Sequence, residues 1–297
     1  MPDKLLGYFY LSLAMVTVGS TVIASKVIAF DLPPFTATAL RFAIALPIFL
    51  ALMRLTGTGL PKAGRRGWLL LLLQAGAGSV GYTTLLISGL SYTTAADAGV
   101  VIGTLPVVSA VIAVLVLGER PRAFLLTAIA FAAAGVLSIT FPPGREGSHT
   151  TIGNLLVLGA VICEGLFILL NKRLRLDIPP LALSTIMTGF GMVVALPFAL
   201  LEMPDIGALT AEALAAVAYY ALIPTVGGFL LWYAGAARVS GAEASLFTAL
   251  APVSAVVLAA VLLGEAVTAA QVAGIACVLS AVLGLAFLQI SKARPRI

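Results

Sequence analysis

Charged residues are scarce in this sequence. Only 10% of its 297 residues are Asp, Glu, Lys or Arg, 61% are hydrophobic, and the mean hydropathy is +1.14. A typical soluble domain has about 25% charged residues. A soluble fold of this composition would expose large apolar patches to water, whereas a lipid bilayer accepts them if helices satisfy every backbone polar group. The composition indicates an all-α polytopic membrane protein.

Residue types that commonly carry catalysis or bind metals are also few. The chain has one histidine, His149, and two cysteines, Cys163 and Cys277, both within apolar runs. It lacks Cys-x-x-Cys, His-Glu-x-x-His and the Gly-x4-Gly-Lys-Ser/Thr motif of nucleotide-binding loops. We therefore expect no enzymatic activity, no metal, no cofactor and no direct use of ATP. The net charge of +5 is not gathered in one stripe, so we expect no nucleic-acid partner.

Long apolar runs predict ten transmembrane helices, because about 20 apolar residues are needed to cross a bilayer. The predicted spans are 5–27, 35–53, 68–90, 95–117, 122–141, 151–171, 180–201, 213–236, 242–263 and 267–289. The connections between them are short and leave no room for a soluble domain.

The sequence repeats itself at a constant shift of 146 residues. "FDLPP" at 30–34 returns as "LDIPP" at 176–180, and "PVVSAVIAVLVLGE" at 106–119 returns as "PVSAVVLAAVLLGE" at 252–265. The shift predicts two five-helix repeats, residues 1–146 and 147–297, within one membrane unit. Because five is odd, the second repeat enters the membrane from the opposite side, and the halves are inverted.

Basic residues predict the orientation of this bundle. With a cytoplasmic N-terminus, fourteen of the 17 Lys and Arg residues lie on the cytoplasmic side, and only Lys26, Arg41 and Arg145 lie on the other. The positive-inside rule then places both termini in the cytoplasm, and we expect a multi-pass protein of the cell inner membrane.

Together, the inverted five-plus-five arrangement, "LRF" at 40–42 and the paired "LGE" at 117–119 and 263–265 resemble the EamA-type branch of the drug/metabolite transporter superfamily, in particular its YddG-like amino-acid exporters. The resemblance implies a ten-helix exporter with a central cavity between the halves. It differs at helix 1, where relatives often have a Trp before the Gly-Ser at 19–20.

Polar residues within the spans are the candidate substrate-binding residues. Gln74, Gly78 and Tyr82 recur every four residues on one face of the third span. We expect this face to line the cavity, although small residues at such spacing also mediate helix packing.

Glu164, in the sixth span, is an ionisable group whose burial in a bilayer costs on the order of 3 kcal/mol. It is either a proton or ammonium site or a neutral acid bonded to another helix. Tyr220, in the eighth span, is a further candidate cavity residue.

Three residues are candidates for conformational or topological roles. Pro106 and Pro252 occupy equivalent repeat positions near the centres of the fourth and ninth spans, where proline removes a backbone hydrogen bond and favours a kink. We interpret them as hinges, with ordinary helix curvature as the alternative. Arg41 could reach the membrane interface, pair with Asp31 or gate that mouth.

Four acidic residues at predicted helix ends are expected to have structural roles. Asp97 and Glu243 complement the dipoles of the fourth and ninth spans, and Glu119 and Glu265 shape the turns that follow "LG". Trp232 and Tyr233 are interpreted as interfacial anchors.

The function predicted from these features is export of small amphipathic metabolites, amino acids first, by alternating access of the two halves. Few basic residues lie deep in the spans to pair with phosphates, so a sugar-phosphate or nucleotide-sugar carrier is a less favoured function than amino-acid export. A cationic drug exporter is also less favoured. A channel or a membrane scaffold is a further alternative. The expected partners are the lipid bilayer and a small-molecule substrate, with protons as an open coupling partner and a monomer or weak homodimer as the assembly.

Overall fold

The structure is a computed structural model that describes residues 2–117, 148–173, 178–202, 210–236 and 250–277, with a few isolated positions besides. All regular structure in these residues is helical: α1 (Pro2–Asp31), α2 (Pro34–Thr56), α3 (Arg65–Gln74), α4 (Tyr82–Leu90), α5 (Ala95–Ile102), α6 (Leu105–Leu117), α7 (Ser148–Arg173), α8 (Pro180–Glu202), α9 (Ala211–Tyr220), α10 (Phe229–Ala236) and α11 (Leu250–Leu262). Residues 269–277 are also helical.

Six helices within this described part are long and apolar enough to cross a membrane. They correspond to the predicted spans 1, 2, 3, 6, 7 and 8, so the prediction of a multi-pass helical membrane protein is confirmed. Nearly all of the fifth predicted span, the start of the ninth and the end of the tenth lie outside the described residues. The number ten and the orientation of the termini stay predictions.

The third and eighth spans are each interrupted by a π-helical segment. The segment π1 (Ala75–Gly81) joins α3 to α4, and π2 (Ala221–Gly228) joins α9 to α10. Their first residues are 146 positions apart, which is the shift of the sequence repeat. The sequences explain the loosening, because π1 reads Ala-Gly-Ala-Gly-Ser-Val-Gly, and π2 contains Pro224 followed by Gly227 and Gly228.

The fourth predicted span is broken at Gly103 and Thr104, between α5 and α6. The break lies two residues before Pro106, whose nitrogen has no hydrogen to donate to the preceding turn. At the break, the Val101 carbonyl accepts hydrogen bonds from both the N–H group of Thr104, at 3.0 Å, and its hydroxyl, at 2.7 Å. This break agrees with a kink at Pro106. Pro252 is buried in α11, but the turn before it lies outside the described residues.

Helices of the two repeats are interlaced. In the first repeat, α1 packs against α9, α10 and α11 of the second, while α7 of the second packs against α4 and α6 of the first, and α2 packs against α8. Glycines at equivalent repeat positions permit two of these contacts. A Cβ atom on Gly19 would lie 2.7 Å from the Ala251 carbonyl oxygen, and one on Gly165 would lie 2.7 Å from Cδ1 of Ile112. The repeats therefore share one core and do not form separate bodies.

Two glutamates join the repeats at one end of the bundle, which we call the capped end and define by Phe35, Thr36, Ala95, Glu202 and Glu265. The Glu265 carboxylate accepts hydrogen bonds from the backbone N–H groups of Ala95 and Ala96, both at 3.0 Å, at the start of α5. The Glu202 carboxylate accepts from the backbone N–H groups of Phe35 at 3.0 Å and Thr36 at 2.7 Å, at the start of α2. In each case a side chain of the second repeat satisfies free donors of the first.

The "LGE" sequence explains how Glu265 reaches this position. Gly264 has a φ of +65°, and the Glu265 N–H bonds the Ala259 carbonyl at 3.2 Å, the reversal that commonly ends an α-helix. Glu265 therefore has a structural role beyond the predicted shaping of the following turn, because its carboxylate caps a helix of the other repeat. Its counterpart Glu119 lies outside the described residues.

Further polar contacts surround the caps. Lys26 donates to the Leu90 and Thr93 carbonyls at 2.7 and 2.6 Å, at the end of α4. Asp97 does more than complement a helix dipole, since it is buried and accepts a hydrogen bond from Gln271 of the second repeat at 2.8 Å. The local cap of α5 is Thr94.

We predict that Glu265→Ala lowers the stability of the purified protein by about 1–2 kcal/mol, because two charge-assisted bonds at a half-buried helix start are lost. Thermal unfolding in detergent measures this. Glu212→Ala is the matched control, since Glu212 also lies in the first turn of a helix but is exposed. An equal loss of stability in the two variants would contradict the proposed contribution of the inter-repeat cap to stability.

Candidate functional site

The third span brings Gln74 to the entrance of π1. Its side chain is completely buried, and neither its amide oxygen nor its amide nitrogen has a hydrogen-bond partner in the described structure. An unsatisfied buried amide costs about 1–3 kcal/mol per group, so its retention here requires an explanation. A polar ligand is one such explanation.

Tyr82 begins α4 directly after π1 and is partly accessible. Its hydroxyl lies beside the Thr21 side chain of α1 and within electrostatic range of Arg41, Glu164 and Tyr220. These groups come from α2, α7 and α9, so the structure gathers residues of both repeats around one phenol. The sequence alone gives no indication that Arg41 belongs to this group.

Glu164 lies on α7 between aromatic residues of the third and eighth spans. It is within electrostatic range of Tyr82 and Tyr233 and is partly accessible. No hydrogen bond or ion pair joins it to any other residue that the structure describes. The alternative of a neutral acid bonded to another helix therefore has no support among these residues, and the role of Glu164 as a proton or ammonium site stays a prediction.

Tyr220 is 3% exposed and packs in an apolar cluster with residues of α1, α2 and α9. The guanidinium carbon of Arg41 lies 4.5 Å from the centre of its ring. Arg41 does not reach the interface and does not pair with Asp31, which instead accepts a hydrogen bond from Thr210. Both of those interpretations of Arg41 are therefore wrong: the side chain is 7% exposed and points into the protein.

Gly78 makes the close helix contact that small residues permit. A Cβ atom at this position would lie 2.3 Å from Cδ2 of Phe167 on α7, and one on Gly81 would lie 3.0 Å from Sγ of Cys163. The packing alternative thus has direct support at Gly78. Contact of Gly78 with a substrate stays a prediction.

Some features of this region were not anticipated from sequence. The sequence marks π1 only by clustered glycines and π2 by Pro224 with two glycines, whereas hinges were predicted at the prolines of the fourth and ninth spans. Tyr233, interpreted as an interfacial anchor, packs with Phe167 and Phe190 against the core and lies near Glu164. Trp232 packs on a core cluster that includes Ala14 and Ala251.

Comparison with known proteins identifies the family. Residues 5–141 and 151–287 each match the model of the EamA-like transporter family. The chain belongs to the EamA-like transporter family. The two matched regions begin and end 146 residues apart, which equals the internal shift; the residue at which one repeat gives way to the next stays a prediction. Membership identifies the chain as a membrane transporter, and the resemblance inferred from sequence is confirmed.

Relatives of this EamA-like transporter are also described as transporters. YetK of Bacillus subtilis (strain 168), described as an uncharacterized transporter, is 35% identical over 280 residues, which cover 93% of this chain and 85% of YetK. A probable terminal-alkyne amino-acid exporter of Streptantibioticus cattleyicolor is 28% identical, over 70% of this chain and 69% of its own. A probable amino-acid metabolite efflux pump of Salmonella typhimurium is 26% identical, over 89% and 90%.

A crystal structure with 22% sequence identity has the same fold. It superposes on this EamA-like transporter with a TM-score of 0.65 over 99% of both chains. At that identity the likeness concerns the fold alone.

We predict that Gly78→Ala destabilises the protein by about 1–3 kcal/mol, because the added methyl group overlaps Phe167 in a packed contact. Gly76→Ala is the matched control: Gly76 lies in the same π segment, and a Cβ atom there meets nothing within 4 Å. Thermal unfolding and the yield of monodisperse protein in detergent measure the difference. If both variants behaved alike, the close Gly78–Phe167 contact would not be a determinant of the fold.

Proposed function

We propose that this protein is a secondary transporter that exports small amphipathic metabolites, amino acids first, across the cell inner membrane. Its family and relatives support transport, and two of those relatives are described as acting on amino acids or their metabolites. The observation that carries the proposal is a pair of polar side chains, Gln74 and Glu164, that have no hydrogen-bond or ion-pair partner among the described residues. Gln74 lies at the start of π1, and Glu164 and Tyr220 are within electrostatic range of Tyr82 at its end. An amphipathic solute needs this combination of hydrogen-bonding groups and aromatic surface.

The positions of these residues suit a site inside the membrane. Inverted-repeat carriers place their substrates near the bilayer midplane, where loosened helices turn backbone groups toward the ligand. Here π1 and π2 loosen the third and eighth spans directly beside Gln74, Tyr82 and Tyr220. π-Helical segments occur frequently at functional sites. Gly78 shapes the same stretch by admitting Phe167.

Transport then proceeds by alternating access of the two inverted repeats. Because α1 packs against α9, α10 and α11, and α7 packs against α4 and α6, we expect each moving group to contain helices of both repeats. Pro106, with the adjacent break at Gly103 and Thr104, is the better supported hinge of the proline pair. Pro252 stays a candidate.

Two alternative substrates differ in the charge that the site must hold. A sugar phosphate would require several interior cations, and the described site contains one, Arg41. A cationic drug would be attracted by Glu164 but repelled by Arg41. An amino-acid zwitterion carries both charges and matches both residues.

The proposed energy source for transport is the substrate gradient or exchange with protons at Glu164. The proposed orientation has both termini in the cytoplasm, which places the capped end on the opposite face. In this orientation the hydrogen bonds of Glu202 and Glu265 join the two repeats on the outer side.

The first prediction of this proposal is saturable counterflow of an amino acid. Proteoliposomes loaded with unlabelled phenylalanine or threonine should take up the matching labelled compound, and vesicles loaded with a sugar phosphate should not exchange labelled sugar phosphate. A channel would give flux without counterflow. Exchange of the sugar phosphate alone would overturn the proposed substrate class.

The second prediction concerns Glu164→Gln, which retains the shape of the side chain but cannot carry the charge. If Glu164 couples transport to protons, an imposed proton gradient should accelerate uptake by the unaltered protein, and the variant should lose this acceleration. Glu212→Gln, the same change at an exposed position, is the control. A variant that transports normally and still responds to the gradient would exclude coupling at Glu164.

A further inference from the structure

Arg41 is a buried cation well inside a membrane-spanning helix. It is the eighth residue of α2, about 10 Å along the helix axis from Pro34 at about 1.5 Å per residue. The residue is 7% exposed. A guanidinium at such a position is costly unless it is paired or contributes to function.

The protein satisfies this guanidinium only in part. One terminal nitrogen donates to the backbone carbonyl of Ser79 in π1 at 2.9 Å. The Nε group has no hydrogen-bond partner in the described structure. A guanidinium has five N–H donors, and no carboxylate within the described ranges lies within ion-pair distance of it.

Aromatic rings hold the guanidinium in place without neutralising it. Its central carbon lies 4.3 Å from the ring centre of Phe42 and 4.5 Å from that of Tyr220. Rings at these distances attract the cation, but they carry no net charge. The N–H groups at the edge of the planar group are therefore the donors left for an anion.

A planar carboxylate is the anion that this arrangement fits best. The guanidinium fork donates two parallel hydrogen bonds to the two oxygens of a carboxylate. The Ser79 bond and the Tyr220 ring fix the fork beforehand, which lowers the entropic cost of binding. Glu164, an acid, and Arg41 are both within electrostatic range of the Tyr82 phenol, so a ligand whose carboxylate binds Arg41 could place an ammonium group near Glu164.

We propose that Arg41 binds the carboxylate of the transported metabolite and thereby selects carboxylate-bearing substrates over the corresponding amines. The proposal rests on the proposed transport function and names the chemical class of its substrate. Tyr220 acts as a positioning residue that holds the guanidinium. Arg41 has no basic counterpart in the second repeat, because position 187, which lies 146 residues later, is a buried methionine. The substrate therefore has one orientation in the site.

The first test uses inhibitors of phenylalanine counterflow by the unaltered protein. 3-Phenylpropionate retains the carboxylate without the amine, and phenethylamine retains the amine without the carboxylate. We expect 3-phenylpropionate to compete and phenethylamine to be weaker by about 10- to 100-fold, the range for a charge-assisted hydrogen bond of this kind. Equal competition by the amine would overturn the proposal.

The second test uses variants. Arg41→Gln should raise the KM for phenylalanine by about 10- to 100-fold and abolish the preference for 3-phenylpropionate. Arg41→Lys, which keeps the charge but loses the planar fork, should raise the KM less and reduce this preference. Arg54→Gln, at the exposed end of the same helix, is the control. A folded Arg41→Gln protein with an unchanged KM and preference would overturn the proposal. If Arg41→Gln fails to fold, the inhibitor test decides alone.

A third measurement separates this proposal from the proposed function. Thermal stabilisation of the purified protein by phenylalanine, 3-phenylpropionate and phenethylamine reports binding without transport. Stabilisation by 3-phenylpropionate but not by phenylalanine, with loss in Arg41→Lys, would reject amino acids as substrates and retain the carboxylate site. Stabilisation by neither carboxylate would overturn the Arg41 proposal, even if counterflow of another solute established the carrier.

Discussion

Satisfaction of backbone hydrogen bonds where helices begin is the constraint on which the arrangement of this bundle depends. A helix start leaves its first N–H groups without partners, and at the edge of a membrane water satisfies them only in part. Glu202 and Glu265 supply carboxylates to the first turns of α2 and α5. Because each carboxylate comes from the other repeat, the bonds that complete a helix also join the two halves of the molecule. Movement of one half relative to the other at this end requires these bonds to break or to travel with the helices.

The helices are loosened at the centre of the bundle, whereas hydrogen bonds between the repeats hold the capped end together. In π1 and π2 the regular α-helical hydrogen bonding is replaced over seven and eight residues, at equivalent positions of the two repeats. Glycines allow neighbouring helices to approach there, as Phe167 does at Gly78. A carrier needs this distribution, since its ends must hold together in one state while its middle admits a ligand and changes shape. The symmetry of the π segments is thus a property of the scaffold and arises from the duplication.

Hydropathy and the 146-residue shift were sufficient to predict the membrane class, the bounds of most described spans within a few residues, and the equivalence of Gly19 with Gly165. These features follow from the local sequence or from direct comparison of two segments of it. The partner of Glu265 could not be predicted, because Ala95 lies 170 residues away and offers only backbone atoms, which are the same in every residue. The sequence leaves the environment of Arg41 open for a related reason. Its distance from the helix end permitted an outward or an inward side chain, and only the packing of α2 against α9 decides between them.

The candidate site departs from the symmetry of its scaffold, and this departure is what gives it chemical specificity. Through the 146-residue shift, Arg41 corresponds to Met187, Gln74 to Tyr220 and Glu164 to Val18. A site with equal halves would present the same groups to both ends of a ligand and would suit a symmetric molecule. In the candidate site the cation, the acid and the amide each occur once, on α2, α7 and α3. Duplication therefore accounts for the paired π segments, and divergence of the two copies accounts for the asymmetry that the proposed binding of a small zwitterion requires.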